Sequence, residues 1–258
     1  RETLPNGVLD AGLALEVARF APDVVFHLAA QADVGRSWER PALDAQLNLA
    51  GTANVIEAVR ACARPPRLVF TSSYLMYGTA RGPVYGEPNH CVPESPYALA
   101  KWAAVRLIEM AAEREGFEFS VAVLANVYGP GGDNVVTTLA RAAVEGRSPW
   151  LLEDETRDFV YVDDVVDALL AAAAADGSAI CNVGSGKETA MPALWRKLRR
   201  IAGSKQEAEI RPGGTRAVLA VGHAEGAWGW RPATKLDDGL AAVVDHERAR
   251  AGAMEAAA

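Results

Sequence analysis

The 258-residue chain is half apolar, 23% charged and only 7% aromatic, a globular composition that excludes intrinsic disorder. Its net charge of −7 argues against nucleic acid or an anionic membrane as partner, and Asp167 interrupts its longest apolar run, Val165 to Ala175. A membrane span needs about 18 uninterrupted residues. Three widely spaced cysteines (Cys62, Cys91, Cys181) fit a reducing cytoplasm, and four scattered histidines show no metal-ligand spacing.

In chain order, Arg1 to Asp10 reads as loop, and Leu13, Val17 and Phe20 form the first helical stripe, as though the chain started partway through a domain. After a turn at Ala21-Pro22-Asp23, the run Val24 to Ala30 predicts a strand buried on both faces of a parallel sheet. A long helix is expected from about Pro41 to Cys62, its inner stripe carried by Leu43, Leu47, Ala50, Asn54 and Ala58. Arg67 to Ser72 is the next strand. A helix then spans Ser95 to Glu115, with Ser95 as N-cap and Pro96 in first position, and Phe117 to Leu124 is again a strand.

Strands alternating with helices mean parallel crossover units in an open, doubly wound sheet. Beyond Asn134 the pattern predicts a helix to Gly146, strands near Trp150 and Phe159, and a helix from Asp164. A strand at Ile180–Val183, two further helices and a Pro/Gly-rich link at Arg211–Gly214 follow. Residues 1–133 thus read as one α/β domain. Residues 134–258 read mainly as a smaller α/β lobe over the sheet's carboxyl edge, with some strands returning to the sheet.

Tyr97 and Lys101 stand four residues apart, on one helix face. A tyrosine is a poor base at neutral pH, but a nearby cation favours its phenolate. A hydroxyl from Thr71-Ser72-Ser73, at the preceding strand's end, would complete a site around one reacting oxygen. Asp163-Asp164 reads as a helix N-cap, Gly184 and Gly186 as a strand-to-helix turn, and His27 as a structural side chain in a buried strand.

With these residues the chain resembles the extended short-chain dehydrogenases/reductases, in the nucleotide-sugar epimerase and dehydratase branch. The resemblance rests on Asp23–Ala30, Asn48-Leu-Ala-Gly-Thr52, Thr71-Ser-Ser73 with Tyr77-Gly78, and Ser95-Pro-Tyr-Ala-Leu-Ala-Lys101. It continues through Asn126-Val-Tyr-Gly-Pro130, Thr156–Asp164, Asn182–Gly186, Arg211-Pro-Gly213 and Gly229-Trp-Arg-Pro232. It implies a Rossmann-like, NAD(P)-binding sheet with a lobe for a nucleoside-diphosphate sugar. By the same resemblance Tyr97 is the base, Lys101 binds the nicotinamide ribose and lowers the tyrosine pKa, and Ser73 is the hydroxyl partner. Leu28, Ala29, Ala30, Thr71 and Ala125 line the cofactor, with NAD expected and NADP left open. Asn126 and Asn134 lie near the substrate's phosphates, Arg157 and Arg211 grip the diphosphate, and Val218 lines the sugar pocket, where its bulk governs whether an N-acetyl group fits. A cytoplasmic homodimer is expected.

The chain departs from the family in lacking Gly-x-x-Gly-x-x-Gly and the acid that follows it. The family's opening crossover unit, roughly 30 residues, has no counterpart in the sequence, so the sheet is expected to be incomplete at the Val24–Ala30 strand. Gly7 stands where an adenine-side Asp is usual, with Asp10 three residues on; Val123 replaces an Arg, and Gly214 an acid. Tyr74-Leu75 follow Ser73, where dehydratases carry Asp-Glu and decarboxylases usually a Glu, which disfavours both chemistries. The leading expectation is C4 epimerisation of a UDP-hexose through a 4-keto sugar. Keto-sugar reduction with NAD(P)H and a non-catalytic binding module are the alternatives.

Overall fold

The computed structural model describes residues 7–79, 84–85 and 91–256. In chain order they form α1 (Leu13–Phe20), β1 (Val24–His27), α2 (Val34–Glu39), α3 (Pro41–Ala45), a wide π-helical turn (Gln46–Ala50) and α4 (Gly51–Ala61). Then come β2 (Arg67–Ser73), a 3-10 turn (Tyr74–Tyr77), β3 (Val84–Tyr85), α5 (Pro96–Glu115), β4 (Phe119–Leu124), β5 (Asn126–Tyr128) and α6 (Val135–Val144). The remainder is β6 (Trp150–Leu152), β7 (Thr156–Tyr161), α7 (Val162–Ala174), β8 (Ala179–Val183), β9 (Glu188–Ala190) and α8 (Met191–Ala202). It closes with β10 (Glu209–Arg211), β11 (Val218–Leu219), α9 (Gly222–Trp228) and α10 (Leu236–Ala256).

The main sheet runs β1-β2-β4-β8, all parallel, with α5 and α7 each packed on β2 and β4. This is the Rossmann-like α/β class that the alternation predicts. Smaller sheets join β5-β7-β9, β10-β6 and β11-β3. Apolar side chains form two clusters. One, around Leu68, Phe70, Val121, Val123 and Ile108, holds the main sheet. The other gathers Tyr128, Leu139, Phe159, Trp195, Leu198 and Leu240 beneath α6, α8 and α10. No helix among the described residues is long and apolar enough to cross a membrane.

β1 ends at His27, three residues short of the predicted strand, and is not buried on both faces: Phe26 is 42% exposed. Its only partner strand among the described residues is β2, so one edge and part of one face lie open. The predicted helix Pro41–Cys62 is continuous but contains the π-helical turn; its buried side carries Asp44, Asn48, Thr52, Val55 and Val59, and of the predicted stripe only Ala58 is buried. The apolar stripe reading failed because a polar loop, not a hydrophobic neighbour, covers this face: Gln31 exchanges hydrogen bonds with Asn48 and donates to Asp44. Three helices, not two, follow β8.

Candidate active site

α5 begins where Ser95, in extended backbone, accepts a hydrogen bond from the Ala98 amide at 3.1 Å, with Pro96 pre-set for the first turn. That cap fixes the phase of the helix and turns Tyr97 and Lys101, both buried, toward the end of β2. Ser73, the last residue of β2, lies beside the Tyr97 phenol on the same cavity wall, and its oxygen accepts from the Leu75 amide at 3.3 Å. Lys101 Nζ donates to the Thr71 carbonyl at 2.8 Å and sits 4.7 Å from the Phe70 ring centre. Ser73, Tyr97 and Lys101 therefore converge.

Burial dominates their ionisation. It pushes the Tyr97 phenol up from its ordinary value, against the opposing hydrogen bond from Ser73, with the charge of Asp44 and the phenol of Tyr74 adding to the rise. It brings the Lys101 ammonium down to about 8, opposed by Asp44. The expected lowering of the tyrosine by Lys101 is not expressed in this state, because desolvation is the larger effect. His27, behind the site, is held down to about 4 by burial and by the Lys101 charge, while Nε2 contacts Thr52 Oγ1 at 2.9 Å. It is neutral and structural.

Tyr97 and Ser73 face a cavity of about 590 Å3, whose walls include Trp38, Asn126, Arg157 and Ala217. A second cavity of about 360 Å3 adjoins it at the carboxyl ends of β2 and β4, between Ser72, Tyr97, Leu124, Ala125 and Asn134. Asn134 caps α6, accepting from the Val136 and Thr137 amides, and Asn126 Nδ2 donates to the Asp158 carbonyl at 3.1 Å. Arg157 lines both cavities and is held by Glu155, with Nε and Nη2 donating to Oε1 at 2.9 and 2.5 Å.

Other expected site residues lie elsewhere. Arg211 is apart from Arg157: it sits on β10, bonded to Glu209 at 2.8 Å and stacked 4.8 Å from the Trp150 ring centre, and lines neither cavity. A rigid paired strand, β10 on β6, holds it there. Val218 pairs with Val84 and packs in a closed gap beside Tyr74 and Asp158; its neighbour Ala217 reaches the cavity, because alternate strand residues face opposite sides. Leu28, Ala29 and Ala30 are exposed just past β1 and line neither cavity.

Asp163 and Asp164 lie inside the first turn of α7 rather than at its cap, which is Tyr161. Asp164 instead accepts from the Ala233 and Thr234 amides and the Thr234 hydroxyl, pinning the segment before α10. Gly184 and Gly186 shape a turn between two strands, β8 and β9, not a strand and a helix. A Cβ at Gly184 would stand 2.7 Å from Asp158 Oδ2, and Gly186 has φ +68°. The sequence reading missed Asp158, whose buried carboxylate accepts from the Ser185, Gly186 and Leu219 amides and the Ser185 hydroxyl. It also missed Asp44, Trp38 and Glu155; an acid inside an otherwise apolar helical register was the one available signal for Asp44. Among the described residues no cluster of acids, histidines or cysteines could hold a metal.

The arrangement can move one proton at a substrate hydroxyl, and the cavity beside Tyr97 has the size and semi-polar lining for a nicotinamide ring. Residues 8–184 match the model of the NAD dependent epimerase/dehydratase family. A UDP-glucose 4-epimerase of Mycolicibacterium smegmatis is 36% identical over 96% of this chain and 83% of its own length. A GDP-6-deoxy-D-mannose reductase of Pseudomonas aeruginosa is 32% identical over 89% of this chain and 81% of its own. The crystal structure of UDP-glucose 4-epimerase from Thermotoga maritima with UDP-glucose superposes with a TM-score of 0.88, at 30% identity, covering 96% of this chain and 84% of that one.

Proposed function

The chain belongs to the NAD dependent epimerase/dehydratase family, and from that premise we propose that it epimerises a UDP-hexose at C4 through a 4-keto sugar. The observation that carries the reading is the convergence of Ser73 and Tyr97 at the wall of the cavity, with no acid in the two positions after Ser73. Such a pair can serve a carbinol and its ketone, but not an elimination that needs a second proton carrier.

Tyr97, Lys101, Thr71 and Ala125 would hold the nicotinamide half of NAD, and Leu28, Ala29 and Ala30 would flank its other half at the end of β1. NAD, when bound, supplies a reversible hydride acceptor. Tyr97 takes the proton from the sugar's 4-hydroxyl and returns it after the ketone has turned. Ser73 donates to the same oxygen and orients it. Lys101 offsets the charge that develops on the phenol. Arg157, Asn126 and Asn134 hold the diphosphate while the sugar rotates, since a guanidinium suits planar recognition of phosphate. Arg157 must exchange Glu155 for phosphate to do so. Arg211 and Val218 take no part in this reading; Ala217 forms the sugar-side wall. The functional unit is a homodimer.

The test is to incubate the protein with NAD and UDP-galactose and follow the anomeric protons by NMR. Formation of UDP-glucose without net NADH, and NAD that stays bound through purification, is the expected result. Net oxidation of NAD(P)H on a keto sugar, with a freely exchanging cofactor, would instead identify a reductase.

A further inference from the structure

Asp44 is 1% exposed, yet its carboxylate is only half satisfied. Oδ1 accepts from Gln31 Nε2 at 2.8 Å and from Asn48 Nδ2 at 3.0 Å, while Oδ2 is buried with no hydrogen-bond partner. An anionic oxygen without a donor is costly in the interior unless a cation faces it.

The surroundings supply one. α3 and the π-helical turn pack against α5, and the charge of Asp44 acts on both Lys101 and Tyr97. Lys101 is 3% exposed, and its one hydrogen bond among the described residues goes to the Thr71 carbonyl, although an ammonium carries three donors. The other groups facing the pair bring no competing charge. His27, from β1, is neutral; Ser73, from β2, is a hydroxyl; Tyr74, from the turn after β2, is a phenol. Each buried ion is thus left short by its own neighbours, and the two stand on packed elements near enough for their charges to act on each other.

We propose that Asp44 is a positioning residue of the Ser73–Tyr97–Lys101 site, supplying the buried negative charge against which the Lys101 ammonium is held beside the phenol. It touches neither substrate nor cofactor and acts through Lys101. The Gln31–Asn48 ring fixes Oδ1, so Oδ2 keeps a set direction and the charge cannot swing away. Only the turnover part of the inference rests on the proposed epimerisation; the pairing of charges does not.

The variant that isolates the charge is Asp44→Asn, which keeps the side chain's shape and an oxygen for Gln31 and Asn48. The pH midpoint of Lys101 is read by competitive acetylation with acetic anhydride and mass spectrometry. In the parent the midpoint should lie at about 8; in Asp44→Asn it should fall by about one pH unit or more. Where UDP-hexose turnover is measurable, the alkaline limb of kcat/KM should move down with it. Should Asp44→Asn not fold, adding Lys101→Met should restore folding, because the uncompensated ion has then been removed as well. An unmoved Lys101 midpoint, an unmoved alkaline limb, or a double variant no more stable than the single overturns the proposal. A midpoint that falls in a protein showing no epimerisation sustains Asp44 and defeats only the substrate reading.

Discussion

On the β7 side of the cavity the buried carboxylate of Asp158 receives four hydrogen bonds, three from backbone amides and one from the Ser185 hydroxyl. On the sheet side the equally buried carboxylate of Asp44 receives two and leaves one oxygen bare. The first wall spends its acid on shape: Asp158 ties the β8–β9 turn to β11 and sets the backbone from which Arg157 and Ala217 face the cavity. The second wall leaves one carboxylate oxygen without a hydrogen-bond donor beside Lys101 and Tyr97, the proposed place of proton movement. A fully satisfied ion is rigid and inert; a partly satisfied one biases its neighbours' protonation.

This contrast is broken most severely at Tyr97. Tyr97→Phe should lower turnover by about 1,000-fold while leaving UDP-sugar binding, measured by calorimetry, nearly unchanged, because the lost group acts in the chemical step. Loss of binding in proportion to turnover would remove Tyr97 from the role of base.

On the opposite wall the effect should be on stability. Asp158→Asn turns a donor toward amides that need an acceptor and should cost roughly 3 to 5 kcal/mol. Urea denaturation at neutral pH reads that loss, with residual turnover per folded molecule largely kept. A variant of unchanged stability would show that the turn is held by something else.

His27 provides a third, pH-dependent mark of the sheet side. Its folded pKa of about 4 lies below the ordinary 6.5, so the unfolded chain binds the extra proton between those values. Stability tied to neutral His27 is therefore complete above pH 6.5 and is lost as pH falls through about 4, amounting to roughly 3 kcal/mol. His27→Gln, which retains a partner for Thr52, should flatten the slope of unfolding free energy over that window. An identical slope in both proteins would assign the acid sensitivity to carboxylates.

The smallest change is expected at the Arg157 ion pair. Glu155→Gln frees the guanidinium from its resident anion and should lower the KM for a UDP-hexose by about fivefold, the order of a partly exposed charge-assisted bond. A KM that rises would mean that Glu155 aims Arg157 rather than competing for it.

How much of this could be read beforehand depended on whether local rules and tertiary demands agreed. For α5 they did: Ser95, Pro96 and the four-residue spacing of Tyr97 and Lys101 set the helix start and the reactive face without reference to distant residues. The parallel strands β2, β4 and β8 were likewise plain from their β-branched runs. Asp44 was hidden because an apolar-stripe argument assumes an apolar partner, and here the partner is Gln31. Val218 lies off the cavity wall because strand phase between Gly213 and Trp228 has no sequence anchor, and a one-residue slip reverses the face. Arg211 lies off it because the pairing of β10 with β6, invisible in the sequence, holds it elsewhere. Asp158 lies in an Arg-Asp-Phe run with no signal that its four donors arrive from up to 61 residues away.

The π-helical turn at Gln46–Ala50 bears on heredity as well as on shape. Each residue added to or removed from a helix rotates everything beyond it by about 100°, and a π-helical turn absorbs one residue more than an α-helical turn. Removing Gln46 or Leu47 would leave an ordinary α-helix with its flanks roughly in phase, but it would bring Asn48 one position nearer Asp44 and break the four-residue spacing across which it donates. Substitutions along this stretch can drift freely at its exposed positions, Gln46 and Ala50, while its length cannot. A one-codon deletion there would loosen the ring that holds Asp44 without altering a residue that lines the cavity.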